Sequence, residues 1–256
     1  NPIAATVSGA FMGFAFPVCE CGVVPVARRL FTKGLPMSVG IAFLLGAPVM
    51  NPIVFASTYA AFGMGPVLIG RFVATAVVAI GVGLVFAFSA RPQDVLLAGS
   101  LAPVSGGSGA LDSVRAPAKP FMARLYDALR VGSDEFFEMG RYLVIGTALA
   151  AGMQSVVSQE TLLALGRGPF VSVLVMQLIA FVLSVCSTVD AFLALGFVRT
   201  FTTGSIISFL TFGPMVDIKS TLMFAGVFQK RTVVYLILLP LLMTLLIGVW
   251  INLLLR

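Results

Sequence analysis

The residues with chemistry to offer are few and unevenly placed. Cys19-Glu20-Cys21 sets a carboxylate between two thiols inside apolar sequence. Farther along come Cys186 and Asp190, and then Asp217 with Lys219 two residues later. Asn51 sits between Pro48 and Pro52, where a helix has to break because proline lacks the backbone donor and clashes with the preceding turn. Thiols supply soft ligands and nucleophiles. Carboxylates bind cations, exchange protons or cap helices. A Cys-x-Cys pair has too few sulfurs for a closed tetrahedral zinc site. Cys186 would add a third thiol, and three thiols meeting at one centre could hold a soft, thiophilic cation or metalloid.

The solvent in which these groups must work follows from composition. The chain has 256 residues, of which 59% are hydrophobic and only 10% charged, with a mean hydropathy of +1.08. Soluble domains carry about 25% charged residues. This surface is therefore one for lipid. The formal charge of +6 does not indicate a nucleic-acid partner, because Lys and Arg are scattered between apolar runs with no basic face. They are expected to set topology and to meet lipid headgroups. There is no His, which removes the commonest general base and metal ligand, and three Cys make no disulfide framework. No cofactor or nucleotide motif is present. The chain starts at Asn1-Pro2, and further spans upstream are expected.

Continuous apolar runs, without the alternation of a membrane barrel, point to an all-α polytopic protein. Residues 66–88, 134–157 and 233–255 are each long enough to cross the hydrocarbon, and 3–18 and 170–186 are borderline. The runs 22–33, 35–47, 52–62, 188–201, 204–213 and 216–228 are about half that length and are bounded by Gly and Pro. They read as discontinuous or re-entrant helices, since broken backbone at membrane depth persists only when buried or lining a wet cavity. Surface turns are the alternative at Asn51-Pro52 and Gly213-Pro214.

Residues 89–133 differ in kind. SGGSGALDSVRAPAKP is a polar, flexible linker. Phe121, Leu125 and Leu129 then follow at i, i+4 and i+8 and mark an amphipathic surface helix. Arg91, Arg115, Lys119, Arg124 and Arg130 place this loop in the cytoplasm. The chain thus divides into a first bundle (1–88), a cytoplasmic linker (89–133) and a second bundle (134–256).

The two bundles look like repeats. An offset of 167 pairs Phe14 with Phe181 and Cys19 with Cys186. RLFTKG (29–34) faces RTFTTG (199–204) at an offset of 170, and FLLGAPVMN (43–51) faces FLTFGPMVD (209–217) at 166. Internal repeats with broken helices at the midplane are a transporter signature. Parallel and inverted arrangements both fit the spacing.

Of the ten acids, Glu20, Asp190 and Asp217 lie in these repeated blocks. An ionisable group near the bilayer centre costs about 2.5–3.5 kcal/mol on insertion scales, so such groups pair, face a cavity or relay protons. Glu20 and Asp190 are the expected proton-coupling groups. The expected solute-contacting set is Cys19, Glu20, Cys21, Asn51, Cys186, Asp190, Asp217 and Lys219. A structural Asp217–Lys219 pair, a carboxylate serving as a helix cap, and thiols that merely pack are the competing expectations.

Two stretches carry a family resemblance. PVCECGVVPVARRLFTKGLPMSVGIAFLLGAPVMNPIV resembles the first signature of the ArsP/YraQ-like permeases, and CSTVDAFLALGFVRTFTTGSIISFLTFGPMVDIKSTLM the second. The resemblance implies a multi-pass permease of a bacterial or archaeal inner membrane. Its characterised arsenical branch exports trivalent organoarsenicals, which points to Cys19, Cys21 and Cys186 as the thiols. The family often has Ser between the first two thiols, where this chain has Glu20, and an acid where it has Thr188.

The function expected is that of a permease, not an enzyme. It would move a small solute or ion, a thiophilic metalloid or organoarsenical in particular, through a site between the halves with proton coupling. Membrane lipid and a second copy of the chain are the other expected partners. The rival class is an intramembrane thiol–disulfide protein cycling Cys19 and Cys21.

Overall fold

The computed structural model describes residues 2–89, 121–156 and 168–254. Residues 90–120, which hold most of the expected linker, and Glu160 lie outside the described residues. All regular structure among the described residues is helical.

The first half runs α1 (Pro2–Ala15), α2 (Glu20–Thr32), α3 (Met37–Gly46), α4 (Pro52–Phe62) and α5 (Pro66–Ser89). A long helix, α6 (Phe121–Val156), follows. The second half runs α7 (Pro169–Leu183), α8 (Asp190–Leu195), α9 (Thr203–Met215), α10 (Ile218–Val227) and α11 (Lys230–Leu254). Proline opens α1, α4, α5 and α7, where its fixed φ suits the first turn and its missing N–H costs nothing. Five of the six short helices expected from the Gly and Pro punctuation are present within a few residues of their expected limits; the sixth, expected over 188–201, is helical only over Asp190–Leu195 and continues as turns.

Among the described residues three stretches are long and apolar enough to cross a membrane: Pro66–Phe88, Thr203–Val227 and Lys230–Leu254. The expected span at 134–157 is not among them. Its residues belong instead to α6, a continuous helix that begins at Phe121 and runs through the expected linker–bundle boundary at 133/134. No Gly or Pro cluster interrupts the chain there, and helix once started propagates cheaply.

In the first half α1 packs on α3 and α5, and α3 packs on α5. In the second half α7 packs on α9 and α11, and α9 packs on α11. The middle helices, α3 and α9, are enclosed. Every residue of α3 is buried, as are eleven positions along α9. A helix apolar on all sides belongs inside.

The two halves fill their interiors by different chemistry. The α1–α3 crossing rests on small residues: a Cβ at Gly13 would fall 2.6 Å from Ala47 Cα, and one at Gly46 would fall 2.8 Å from the Ala10 carbonyl. Close backbone approach of this kind favours dispersion between membrane helices. In the second half, side-chain hydrogen bonds tie α7, α9 and α11 together. Gln177 Nε2 donates to Thr244 Oγ1 at 2.7 Å, Ser208 Oγ to the Thr244 carbonyl at 2.9 Å, and the Gly204 N–H to Asn252 Oδ1 at 2.9 Å.

The halves also exchange elements. From the first half α2 packs against α10 of the second, and from the second α8 packs against α4 of the first. Glu20 meets Lys219 where α2 and α10 begin, and Phe31 meets Phe228 edge-on at 6.1 Å where they end. The two helices therefore run side by side in the same direction. α6 covers this contact, lying on α10, α7 and α2.

Candidate functional site

Two buried ionic clusters occupy these crossed contacts, and in each an acid at the first residue of a short helix meets a cation. Glu20 opens α2 and Asp190 opens α8. Both helices start after a Cys whose backbone carbonyl accepts the first amide bonds. The Cys19 carbonyl takes the N–H of Val23 at 3.0 Å, and the Cys186 carbonyl takes that of Asp190 at 3.1 Å. An acid in the first turn is also favoured by the unpaired amides there.

The first cluster joins Glu20, Asp217 and Lys219. Lys219 Nζ donates to Glu20 Oε1 at 3.3 Å, across 199 positions of sequence. The same ammonium lies 3.6 Å from Asp217 Oδ2. Glu20 is 3% exposed, Asp217 2% and Lys219 7%. With all three ionised the cluster carries a net negative charge. Two of its oxygens, Glu20 Oε2 and Asp217 Oδ2, are buried and accept no hydrogen bond. Such bare acceptors are costly in a low-dielectric interior.

Asp217 owes its position to the break between α9 and α10. It caps α10, taking the Ser220 N–H on Oδ1 at 2.6 Å, while Ser220 Oγ takes the Asp217 N–H at 2.8 Å. This reciprocal arrangement is a capping box. Ser184, which ends α7 at a left-handed φ of 49°, accepts the Ile218 N–H on its hydroxyl at 3.2 Å. The cap uses one oxygen of Asp217 and leaves the other facing Lys219.

Cys19 and Cys21 stand on either side of Glu20, at the N-cap and in the first turn of α2. Cys19 is exposed and Cys21 half-buried, and all three cysteines are free thiols. The expected meeting of three thiols does not occur. Cys186 is tied locally, with the Thr188 hydroxyl donating to its sulfur at 3.7 Å. Among the described residues no three of the Cys, Asp and Glu side chains gather closely enough to hold a metal ion.

The second cluster is built on Arg71, which the sequence reading passed over. This arginine of α5 is wholly enclosed. Its Nη1 donates to Asp190 Oδ1 at 3.0 Å and its Nη2 to Asp190 Oδ2 at 2.7 Å. Nη1 also reaches Thr58 Oγ1 at 2.8 Å, and Nη2 the Ser187 carbonyl at 3.3 Å. Two parallel bonds between planar groups make the tight form of the arginine–carboxylate pair. Both Asp190 oxygens are thus occupied, whereas Glu20 keeps one free. Applying to cations the same intramembrane-charge argument used for acids would have found Arg71, an arginine inside the apolar run 66–88.

Asn51 is fully used in joining the end of α3 to the start of α4. Its Oδ1 accepts the Val54 N–H at 2.9 Å and its Nδ2 donates to the Ala47 and Pro48 carbonyls, each at 3.3 Å. It caps α4 as Asp217 caps α10. Of the eight expected residues, three meet in one place, Glu20, Asp217 and Lys219, with Cys19 and Cys21 flanking Glu20 in the chain. Asp190 belongs to the Arg71 cluster with Cys186 behind it, and Asn51 serves as a cap.

The arrangement is that of charged groups held between two helical bodies, at the ends of broken helices. A family model described as "Predicted permease" matches residues 1–253. The UPF0718 protein YcgR of Bacillus subtilis (strain 168) is 43% identical over 238 residues, covering 93% of this chain and 78% of its own. A protein of Streptococcus mutans serotype c, named "Putative two-component membrane permease complex subunit", is 35% identical over 232 residues, covering 90% of this chain and 74% of its own. No solved structure matches.

Proposed function

The chain belongs to this permease family and is a multi-pass bacterial membrane protein, and on that premise we propose that it carries a small thiophilic solute between its two halves, with Glu20 exchanging a proton during the cycle. The halves act as repeated bodies that rock about the crossed contacts. The support for the repeat is that α1, α3 and α5 pack on one another as α7, α9 and α11 do.

The observation that carries the reading is the Glu20–Lys219 contact at 3.3 Å with a bare Glu20 oxygen beside it. One partner comes from each half, so relative movement of the halves changes the surroundings of the acid. A carboxylate whose counter-charge comes and goes binds and releases a proton. The exposed Cys19 thiol and its neighbour Cys21 supply the soft ligands. A trivalent organoarsenical, the solute implied by the family resemblance, suits two adjacent thiols better than a hard cation does. Asp190 is assigned to holding the halves together, because Arg71 already occupies both of its oxygens. The name of the Streptococcus mutans relative leads us to read the chain as one part of a two-part membrane complex.

The test is flux in vesicles containing purified protein, across an imposed pH gradient, with trivalent arsenicals and sulfur oxyanions offered side by side. Saturable arsenical flux that drops at least about tenfold in Cys19→Ser/Cys21→Ser is expected, a loss equivalent to roughly 1.4 kcal/mol of transition-state binding. Flux unaffected by that pair removes the thiol assignment. Flux indifferent to the gradient removes the proton.

A further inference from the structure

Lys219 is an unusual neighbour for two carboxylates in a transport pathway, because it is a cation on a tether. Its stem is fixed where it leaves the backbone: α6 passes so closely that a Cβ on Gly146 would lie 3.0 Å from Lys219 Cα and 3.2 Å from its Cγ. Beyond that point the side chain extends to place Nζ between Glu20 of the first half and Asp217 of the second. The contacts are loose for charge-assisted bonds, at 3.3 Å and 3.6 Å, against about 2.7–2.9 Å for a tight pair. Each carboxylate also retains a buried oxygen with no hydrogen-bond donor, and these are Glu20 Oε2 and Asp217 Oδ2. Asp217 is held in place without help from the lysine, by its capping box, and the backbone of Glu20 is held by the first turn of α2. The pocket is therefore formed by the fold, and the ammonium is its incompletely fitted occupant.

We propose that Glu20 and Asp217 form a site for a small monovalent cation, and that Lys219 fills it as a tethered substitute when no free cation is bound. The site takes ions of ammonium size, distinguishes against anions by its net negative charge, and releases Lys219 when a cation enters. It would serve as the coupling-ion site beside the thiols. The inference rests on the permease reading for that use but not for the existence of the site, which can be measured without any transport.

Removing the tethered ammonium should leave a vacancy that a free one can fill. Purified Lys219→Ala in detergent is titrated with methylammonium at pH 8, and its melting temperature is followed. Binding to the folded state alone raises stability as the logarithm of ligand concentration. The expected result is an upward shift of roughly 3–5 °C for each tenfold increase beyond the Kd. Wild type should shift only at methylammonium concentrations well above those that shift Lys219→Ala, because Nζ competes for the site. Tetramethylammonium, with no N–H to donate, should leave Lys219→Ala unshifted. Glu20→Gln/Lys219→Ala, with the net charge of the cluster preserved, should fold and not respond.

Should Lys219→Ala fold only when extracted in methylammonium, that requirement itself supports the site. Failure to fold even then, no shift in Lys219→Ala, or an equal shift in the charge-preserving double variant overturns it. Any of these results leaves arsenical flux untouched as a separate question, and absence of arsenical flux with the methylammonium shift intact would remove the thiophilic-solute reading while keeping the site.

Discussion

Arg71 and Asp190, 119 positions apart, face each other through two parallel hydrogen bonds of 3.0 Å and 2.7 Å at the junction of the halves. Neither is solvated, so the pair is an all-or-nothing element. Desolvating both charges is costly, and their attraction offsets that cost only while the geometry is complete.

Breaking one side should therefore be severe. Arg71→Met leaves a buried carboxylate alone and should destabilise by about 3–5 kcal/mol. Arg71→Met/Asp190→Leu should recover most of the loss, since an apolar pair of similar volume is often neutral. Arg71→Lys should fall between, because an ammonium cannot make both bonds at once. Thermal unfolding in detergent of wild type, Arg71→Met, Asp190→Leu and the double variant measures the coupling. Independent, additive losses would show that the contact does not bind the halves.

The two caps separate stability from charge. Asn51→Ala removes the acceptor for the Val54 N–H and should cost about 1 kcal/mol. Asp217→Asn keeps a good cap and should change stability by less than about 0.5 kcal/mol. It should nevertheless abolish the pH-gradient dependence of flux, because the charge opposite Lys219 is gone. A large stability loss in Asp217→Asn would mean that its value lies in the ion pair.

The glycines of α6 should differ sharply. At Gly146 a side chain meets Lys219 Cα, whereas at Gly132, Gly140 and Gly152 an added Cβ has nothing within 4 Å. Gly146→Val should destabilise by about 1–3 kcal/mol, the usual cost of overpacking. Gly132→Ala and Gly140→Ala should be neutral or stabilising by up to about 1 kcal/mol, through helix propensity. Equal tolerance at Gly146 would place α6 away from the lysine.

Glu20→Gln keeps the shape of the first cluster and gives it one charge-neutral partner. Flux of the solute down its own gradient should persist, and its response to an imposed pH gradient should vanish. Asp190→Asn should instead lower protein stability and leave the response of the surviving protein in place. If the two substitutions exchange these phenotypes, the assignment of Glu20 as the exchanging acid is wrong.

Cys19 should react first with a hydrophilic thiol reagent, ahead of Cys21 and Cys186, because it is the exposed one of the three. A thiol reacts as its thiolate, which requires water nearby. Slow labelling of Cys19 relative to Cys186, read by mass spectrometry of single-Cys proteins, would put its exposed face against lipid.

Much of this was written locally. Hydropathy marked the chain as a membrane protein, and many helix ends follow Gly and Pro, although Gly22 and Pro25 lie inside α2 and Gly213-Pro214 inside α9. The breaks at Asn51-Pro52 and at Asp217 were legible for the same reason, because a proline or a capping side chain acts on the adjacent turn and needs no distant partner. The continuity of α6 through residues 121–156 was not, since a charged surface turn and an apolar span can share one helix and composition alone suggested a boundary.

What only the tertiary structure decided is which charge meets which. Lys219 has Asp217 two residues away, so proximity in sequence pairs those two, yet its hydrogen bond goes to Glu20 of the other half. Asp190 and Glu20 look alike as isolated acids in apolar sequence, but one has both oxygens taken by Arg71 and the other has one left bare. The physical reason is that a charge has no partner encoded in its own neighbourhood. Its partner is set by the packing of α2 on α10 and of α8 on α4, contacts fixed by apolar burial over the whole interface and not by the ions that lie within it.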